Sequence, residues 1–327
     1  LMLMNSGDQR LVRPSFGSWL TWGMGTENQN LPGFIALCPG GYPVGGAGNW
    51  RSAFLPGVYQ GTHIDTSQTD PRKLIANVQN NRLTPIEQKS QFRLLQALNA
   101  KHLAGRPEES ALEARIRSFE LAYRMQTAAP EVFDLTLESP SIHSMYGLDD
   151  KRCAHFGQQC LTARRMIESG VRFVQLYSGG TENQKSWDGH ADIEGNHRGF
   201  AEEVDQPIAA LLTDLKQRGL LDDTLVVCGG EFGRLPIAQI EAKPGRDHNP
   251  NAFTTWLAGG GIKGGVSHGE TDELGLNAMV DKVSIHDLHA TILHLLGIDH
   301  ERLKYNINGL DVKLTGVEGA RVIDPIL

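Results

Sequence analysis

Carboxylate and imidazole side chains are concentrated in three short, glycine-bounded segments in the second half of the chain. The first contains Asp188 and His190, separated by one glycine, and the second contains Glu231. The third contains the adjacent residues Asp247 and His248. Mixed carboxylate and imidazole ligands suit divalent ions such as zinc or manganese, whereas carboxylates alone favour magnesium or calcium. These five candidate ligands are enough for one closed metal site or most of a two-metal site.

The same residue types also have ordinary structural roles. A single aspartate or histidine in a loop usually caps a helix, forms a turn or completes a hydrogen bond. However, the first two segments directly follow predicted strands, and ligands bind beyond the carboxyl ends of the strands in an open α/β sheet. Because of this shared position, a metal site and ordinary structural roles are equally good interpretations of these residues.

Two arginines flank the candidate ligands. A guanidinium fork at Arg234 or Arg246 suits a tetrahedral oxyanion such as phosphate or sulfate. An ion pair with a nearby carboxylate is an equally good interpretation of either residue. His197 lies just beyond the first segment, and hydrogen bonding at the start of a helix is favoured over ligation there.

Other catalytic patterns are missing from the sequence. The glycine-rich residues 259–265 lack the Gly-Lys-Ser/Thr ending of a phosphate-binding loop, and no GxSxG nucleophile elbow occurs. Ser15 and Ser18 are interpreted as loop and cap residues. The histidines at and after the last predicted helix are assigned structural or solvated roles; they are His286, His289, His294 and His300.

Composition limits the class of protein. The chain has 327 residues, 40% of them hydrophobic and 21% charged, which is typical of one large or two ordinary globular domains. A formal charge of −7 without a basic block argues against non-specific nucleic-acid binding. No run of eighteen apolar residues predicts a membrane span.

Strand and helix signals alternate along the second half of the chain. Strands are predicted at 33–38, 171–177, 224–228 and 253–258, and the continuously apolar 224–228 indicates a strand covered on both faces. Helices are predicted at about 84–104, 107–128, 154–169, 208–219 and 284–297, the first two forming a hairpin. This order indicates an α/β sandwich with a mostly parallel sheet.

The cysteines are too widely spaced for a CxxC motif, although a disulfide between Cys153 and Cys160 is compatible with the sequence. Cys228 lies in an apolar run and is expected to be buried. The opening residues 1–4 do not resemble an initiator or a signal peptide, so the chain is expected to begin inside a longer protein.

Several motifs in the same order resemble the bacterial family called domain of unknown function 1501, which is abundant in planctomycetes. The three main motifs are Trp187-Asp188-Gly189-His190, Gly230-Glu231-Phe232-Gly233-Arg234 and Gly245-Arg246-Asp247-His248. Residues 18–19, 27–33, 258–265, 271–275 and 287–291 also fit the pattern. The family is similar to sulfatases and is placed with the alkaline phosphatase superfamily.

The resemblance implies one domain over 1–327, with a three-layer α/β/α core, a mostly parallel sheet and a helical insertion at about 84–128. It also implies one or two divalent ions and hydrolysis of phosphate or sulfate esters. Asp188 and His190 would be one ligand pair, and His248 would be the late histidine ligand. Glu231 stands where relatives have aspartate, and Phe232 replaces the histidine that follows.

Longer family members begin with a strand and a Gly-Gly-x-Ser-His-x-Asp loop, often behind a twin-arginine export signal. The resemblance therefore implies an exported full-length protein whose nucleophile and first metal carboxylate precede this chain. We expect a metal-dependent hydrolase of a small-molecule or glycan ester. The alternatives are an inactive binding protein for sulfated or phosphorylated glycans, and a vestigial site beside an interacting helical hairpin.

Overall fold

Residues 1–67, 74, 82–106, 110–179, 186–230, 232–238 and 243–327 are described by a computed structural model of the chain. The predicted start of the second hairpin helix, at 107–109, and the candidate ligand Glu231 lie outside the described residues.

The described part of the chain alternates helices with short strands. The helices are α1 (Met2–Ser6), α2 (Phe16–Met24), α3 (Pro85–Ala104), α4 (Ser110–Phe133), α5 (Pro140–Met145), α6 (Ala154–Glu168), α7 (Ile193–Gln217) and α8 (Ile285–Leu295). The strands are β1 (Phe34–Cys38), β2 (Thr62–Asp65), β3 (Phe173–Leu176), β4 (Val226–Gly229), β5 (Gly233–Ala238), β6 (Arg246–Asn249), β7 (Thr255–Ala258), β8 (Glu270–Thr271), β9 (Ala278–Val280), β10 (Lys304–Ile307) and β11 (Leu310–Lys313).

A three-stranded parallel sheet with the order β2-β1-β3 forms the centre of the N-terminal half. All five residues of β1 are buried, as its apolar sequence predicts. Ile35 packs in one cluster with Met125 of α4 and Met166 of α6. Its neighbour Phe34 points to the opposite face, where its ring lies 5.0 Å from that of Phe173. Helices therefore contact both faces of this sheet, because α2 packs on β1 and β3 from the Phe34 side.

The remaining strands do not extend this sheet among the described residues. β4 pairs with β7, β5 with β6, β8 with β9 and β10 with β11, and each of these pairs is antiparallel. The prediction of a parallel sheet is confirmed for β1, β2 and β3, but not for the other strands. The described residues form a mixed α/β fold. Val227 of β4 is 36% exposed, so the prediction of a strand covered on both faces is wrong. An antiparallel pair needs only one covered face.

The predicted starts of two helices are confirmed, and side-chain caps fix both of them. Thr84 and Glu87 form a capping box at the start of α3, and Ser284 and Asp287 form another at the start of α8. The prediction that the second hairpin helix ends at about residue 128, before Pro130, is wrong. Helix α4 includes Pro130 and continues to Phe133. The buried residues of this last turn, such as Val132, pack against α6, and this tertiary contact outweighs the local cost of proline.

Several elements of the first half lack a clear sequence signal. The helices α1 and α2 and the polar strand β2 are not predicted, and Ser18 lies inside α2 rather than in a loop. Ser15 is the cap residue of α2, as expected. Cys153 and Cys160 carry free thiols, so the possible disulfide is not formed. Among the described residues, no helix combines the length and apolar composition that crossing a bilayer requires.

A buried ion-pair network joins α6 to α7. Arg164 has a side chain only 1% exposed, and its Nε lies 2.8 Å from an oxygen of the buried Asp214. A second nitrogen lies 2.8 Å from a carboxylate oxygen of Glu138. Asp214 also accepts hydrogen bonds from the Tyr146 hydroxyl at 3.0 Å and from Arg218 at 2.7 Å. Removing one partner would leave the others charged and buried, which is costly.

We expect Arg164→Met to lower the free energy of unfolding by about 3–5 kcal/mol, because Asp214 and Glu138 lose their buried counter-ion. Urea unfolding measures the change. Arg198→Met is the matched control, since the Arg198 side chain is 69% exposed, and its effect should stay within about 0.5 kcal/mol. Equal effects of the two substitutions would contradict this account of the network.

Two histidines of α8 hold the N-terminal helix. The Nε2 atom of His286 lies 2.7 Å from the carbonyl oxygen of Gly7, and that of His289 lies 2.8 Å from the carbonyl of Met4. His289 is buried, and this burial lowers the pKa of its imidazole to about 4. The ring is therefore neutral near neutral pH and donates its Nε2 proton to Met4.

Protonation of His289 should destabilise the fold, because its pKa is lower in the folded chain than in the unfolded chain. Its contribution is complete above the unfolded pKa of about 6.5 and is lost progressively towards pH 4. Between pH ~7.5 and pH ~5 we expect a loss of about 2 kcal/mol. His289→Gln keeps an equivalent N–H donor and should lack this part of the pH dependence. The free energy of unfolding is measured by urea unfolding at each pH. The same pH dependence in both proteins would refute the assignment.

Candidate metal centre

An antiparallel ribbon carries two of the predicted site segments. β5 and β6 pair in a register that places Arg234 opposite His248 and Gly233 opposite Asn249. Both segments were predicted as loops, and this is wrong for the residues in the ribbon. A side chain at Gly233 would overlap the carbonyl oxygen of Ala252, so glycine is required where the backbones meet. The ribbon therefore fixes His248 beside Arg234.

The remaining candidate ligands lie on the loop that links β3 to α7. At the β3 end, Trp187 donates a hydrogen bond from Nε1 to the Ser178 hydroxyl at 2.8 Å. At the other end, Asp192 accepts from the amide of Gly195 at the start of α7. Trp187 and Asp192 have φ values of 62° and 48°, a region that non-glycine residues seldom adopt. This strained backbone needs support from neighbouring segments.

Residues 243–246 supply that support through a backbone clasp. The amide of Arg246 donates to the carbonyl of Gly189 at 2.8 Å, and the amide of Ile193 donates to the carbonyl of Pro244 at 3.2 Å. Between them, Gly245 packs so closely on the loop that a Cβ atom there would overlap the carbonyl of His190. The clasp thus joins the loop of Asp188 and His190 directly to the strand that carries His248.

Asp188, His190 and His248 meet at this junction. The Nε2 atoms of the two histidines lie 3.0 Å apart, within hydrogen-bond distance. An oxygen of Asp188 lies 3.2 Å from Nε2 of His190 and 3.6 Å from Nε2 of His248. All three side chains are partly exposed, so the group is open to solvent. Among the described residues, they form the group of acidic and imidazole side chains that can hold a metal ion.

The distances between the three donor atoms can be compared with those in a tetrahedral zinc site. Ligand atoms bound to zinc at about 2.0–2.2 Å in a tetrahedral arrangement lie about 3.3–3.6 Å apart. The observed separations of 3.0, 3.2 and 3.6 Å are close to these values. One carboxylate and two imidazoles also form a donor set found in catalytic zinc sites, which keep one position open.

The other predicted site residues occupy different positions. A carboxylate oxygen of Asp247 lies 3.9 Å from Nδ1 of His190, the ring nitrogen that faces away from the cluster. This distance is too long for a hydrogen bond. The same oxygen accepts from the backbone amide of His248 at 2.7 Å, and Asp247 lies outside the group of three donors. His197 lies near the start of α7 and packs its ring edge-on to Trp187, with 5.7 Å between the ring centroids. Burial, followed by the charge of Arg234, lowers the pKa of His197.

The two flanking arginines have different surroundings. Arg234 contacts an oxygen of Asp188 at 3.4 Å, which matches the ion-pair interpretation. Arg246 has one nitrogen 2.9 Å from the carbonyl of Gly245. Phe232 stacks on His248 with the ring centroids 4.1 Å apart. The aromatic ring thus covers one side of a candidate ligand.

One residue that holds the site escaped sequence analysis. Asn249 is buried, donates from Nδ2 to the carbonyl of Gly275 at 3.1 Å, and accepts from the amide of Asn251 at 3.1 Å. It fixes the end of β6 directly after His248. The turn that contains Gly275 is itself closed by Asp272, whose carboxylate accepts from several backbone amides. Asp272 and Gly275 belong to the family pattern at 271–275, whereas no sequence signal marked Asn249.

Fold and site together define a mixed α/β protein with a candidate divalent-metal centre. The chain belongs to the family described as "Protein of unknown function (DUF1501)", whose model matches residues 1–327. Comparison with curated proteins and with solved structures gives no match.

The clasp predicts that Gly245→Ala separates the loop from the ribbon, because the added methyl group would overlap the backbone of His190. We expect zinc affinity, measured by isothermal titration calorimetry, to fall by at least about 10-fold. Gly264→Ala is the matched control, since a Cβ atom at Gly264 meets nothing within 4 Å. Unchanged affinity of the Gly245 variant would show that the clasp does not position the ligands.

Proposed function

We propose that Asp188, His190 and His248 bind a divalent metal ion and that the site hydrolyses phosphate or sulfate esters. The observation that carries this proposal is the convergence of one carboxylate and two imidazoles, from separate segments, at separations of 3.0–3.6 Å. A chance cluster of exposed polar groups would not need a backbone clasp and two close glycine contacts to hold it together.

The donor set also bears on the choice of ion. Zinc and manganese accept mixed oxygen and nitrogen ligands, whereas calcium and magnesium are bound mainly by oxygen. Two imidazoles among three donors therefore favour zinc or manganese over calcium or magnesium. The same set of two histidines and one carboxylate also occurs at non-haem iron(II) sites, so elemental analysis should include iron.

Each residue of the site has a separate proposed role. A bound metal ion would act as a Lewis acid and lower the pKa of a coordinated water or nucleophile. His190 and His248 would coordinate the ion through Nε2, and Asp188 would supply the anionic ligand. Asp247, whose carboxylate accepts from the backbone amide of His248, would add negative charge beside the bound ion. Arg246, two residues before His248 on the same strand, would face the same side and bind the oxyanion of the ester.

The resemblance to sulfatases and alkaline phosphatases supports the ester class, and a small-molecule or glycan ester is the proposed substrate. Fold analogy alone does not establish chemistry, so the proposal depends on the site itself. A binding protein for sulfated or phosphorylated glycans on the same scaffold would bind metal and anion without turnover. The experiment below separates the two functions.

We expect the purified chain to retain about one zinc or manganese ion per molecule after exhaustive dialysis, measured by elemental analysis. His190→Ala should abolish this retention. Asp247→Asn should lower the affinity for the metal by only about 10-fold. Ser90→Ala is the control, because Ser90 lies on the exposed hairpin helix α3.

Metal-loaded protein is then assayed with aryl phosphates and aryl sulfates. Turnover that His190→Ala removes supports the hydrolase. Stoichiometric metal without turnover of either ester would favour the binding protein. No bound metal, even after soaking with zinc and manganese, would contradict both proposals.

A further inference from the structure

Both terminal nitrogens of the Arg234 guanidinium are engaged by the protein itself. Its side chain is 16% exposed. One terminal nitrogen donates to the carbonyl of Trp187 at 2.6 Å, and the other lies 3.3 Å from the carbonyl of Arg246. Both terminal nitrogens lie 3.4 Å from the same oxygen of Asp188. These acceptors come from both sides of the clasp.

This pattern leaves little capacity for an external anion. A substrate oxyanion at Arg234 would have to displace a carbonyl or the carboxylate that already accepts its protons. The displaced acceptors would then lose partners in a partly buried position, which costs free energy. Sequence analysis left the oxyanion role and the ion-pair role of Arg234 equally open, and these contacts favour the ion pair.

We propose that Arg234 is a positioning residue that holds Asp188 in place for metal binding, a role that rests on the metal centre proposed above. The same Asp188 oxygen that contacts Arg234 faces the two imidazoles. By also binding the carbonyls on either side of the clasp, Arg234 sets the distance between the Asp188 loop and the β6 strand.

The planar fork of arginine is suited to this task. Its terminal nitrogens point in fixed directions and bind several acceptors at once, whereas lysine offers one compact ammonium group. The guanidinium carbon also lies 5.6 Å from the centroid of the Phe232 ring, which stacks on His248. Arg234 thus contacts one metal ligand directly and another through Phe232.

A competing effect acts with the opposite sign. The positive charge of Arg234 repels a divalent cation, so removing that charge alone would strengthen metal binding. If positioning dominates, both Arg234→Met and Arg234→Lys weaken binding, because neither side chain spans the three acceptors. If charge dominates, Arg234→Met strengthens binding and Arg234→Lys leaves it unchanged. The signs of the two substitutions therefore distinguish the mechanisms.

The experiment measures zinc affinity by competition with a chromophoric chelator, for the wild-type chain, Arg234→Met, Arg234→Lys and the control Arg198→Met. The melting temperature of each metal-free protein and the visible spectrum of each cobalt(II) form are recorded in parallel. We expect a loss of zinc affinity of about 10- to 100-fold in both Arg234 variants, with altered cobalt spectra. The metal-free variants should fold with a somewhat lower melting temperature, because the acceptors of Arg234 lose their partner. Arg198→Met should match the wild type in all three measurements.

Wild-type affinity in Arg234→Lys, or tighter binding in Arg234→Met, would overturn the positioning role while leaving the metal centre intact. If Arg234→Met does not fold, Arg234→Lys alone decides between the two mechanisms. If the wild-type chain binds neither zinc nor manganese, the metal centre itself is refuted, and the positioning role with it.

Discussion

The arrangement of the candidate site depends on the backbone clasp between residues 243–246 and the loop after β3. This loop contains residues at positive φ, and it is held against β6 by hydrogen bonds to Gly189 and Pro244. The space between the two segments is so small that only glycine fits at position 245. Because His190 lies on one side of the contact and His248 on the other, the clasp determines their separation.

Ionic and packing contacts around the clasp also hold the candidate ligands in place. Arg234 links the carbonyls and the carboxylate of the two segments, Phe232 covers one side of His248, and Asn249 holds the strand end. None of these residues needs to touch a substrate to affect the site. A donor group that is held by its surroundings loses little freedom when an ion binds, which favours affinity.

Features that depend on local chemistry were predictable from the sequence. The capping boxes at Thr84 and Ser284 and the buried strand β1 follow from residue types within a few positions. Asp188, His190 and His248 could be named as candidates from their residue types, but the position of His248 inside β6, paired with β5, was not predictable. The family match over residues 1–327 agrees with the motif order.

Features that depend on distant contacts were not predictable. Segments rich in glycine, arginine and proline around Arg234 and His248 were interpreted as loops, because only their mutual pairing makes them strands. Helix α4 passes Pro130 because residues beyond it are buried against another helix. The choice between the two roles of Arg234 depended on three acceptors, two of which are backbone carbonyls that no sequence pattern marks.

The central claim is that one ion binds between the three converging side chains. An anomalous difference map from crystals soaked in zinc, recorded on both sides of the zinc absorption edge, tests it most directly. The account predicts a single strong peak within about 2.0–2.2 Å of the Asp188 carboxylate and of Nε2 of His190 and His248. A peak elsewhere on the chain, or no peak at the clasp, would contradict it.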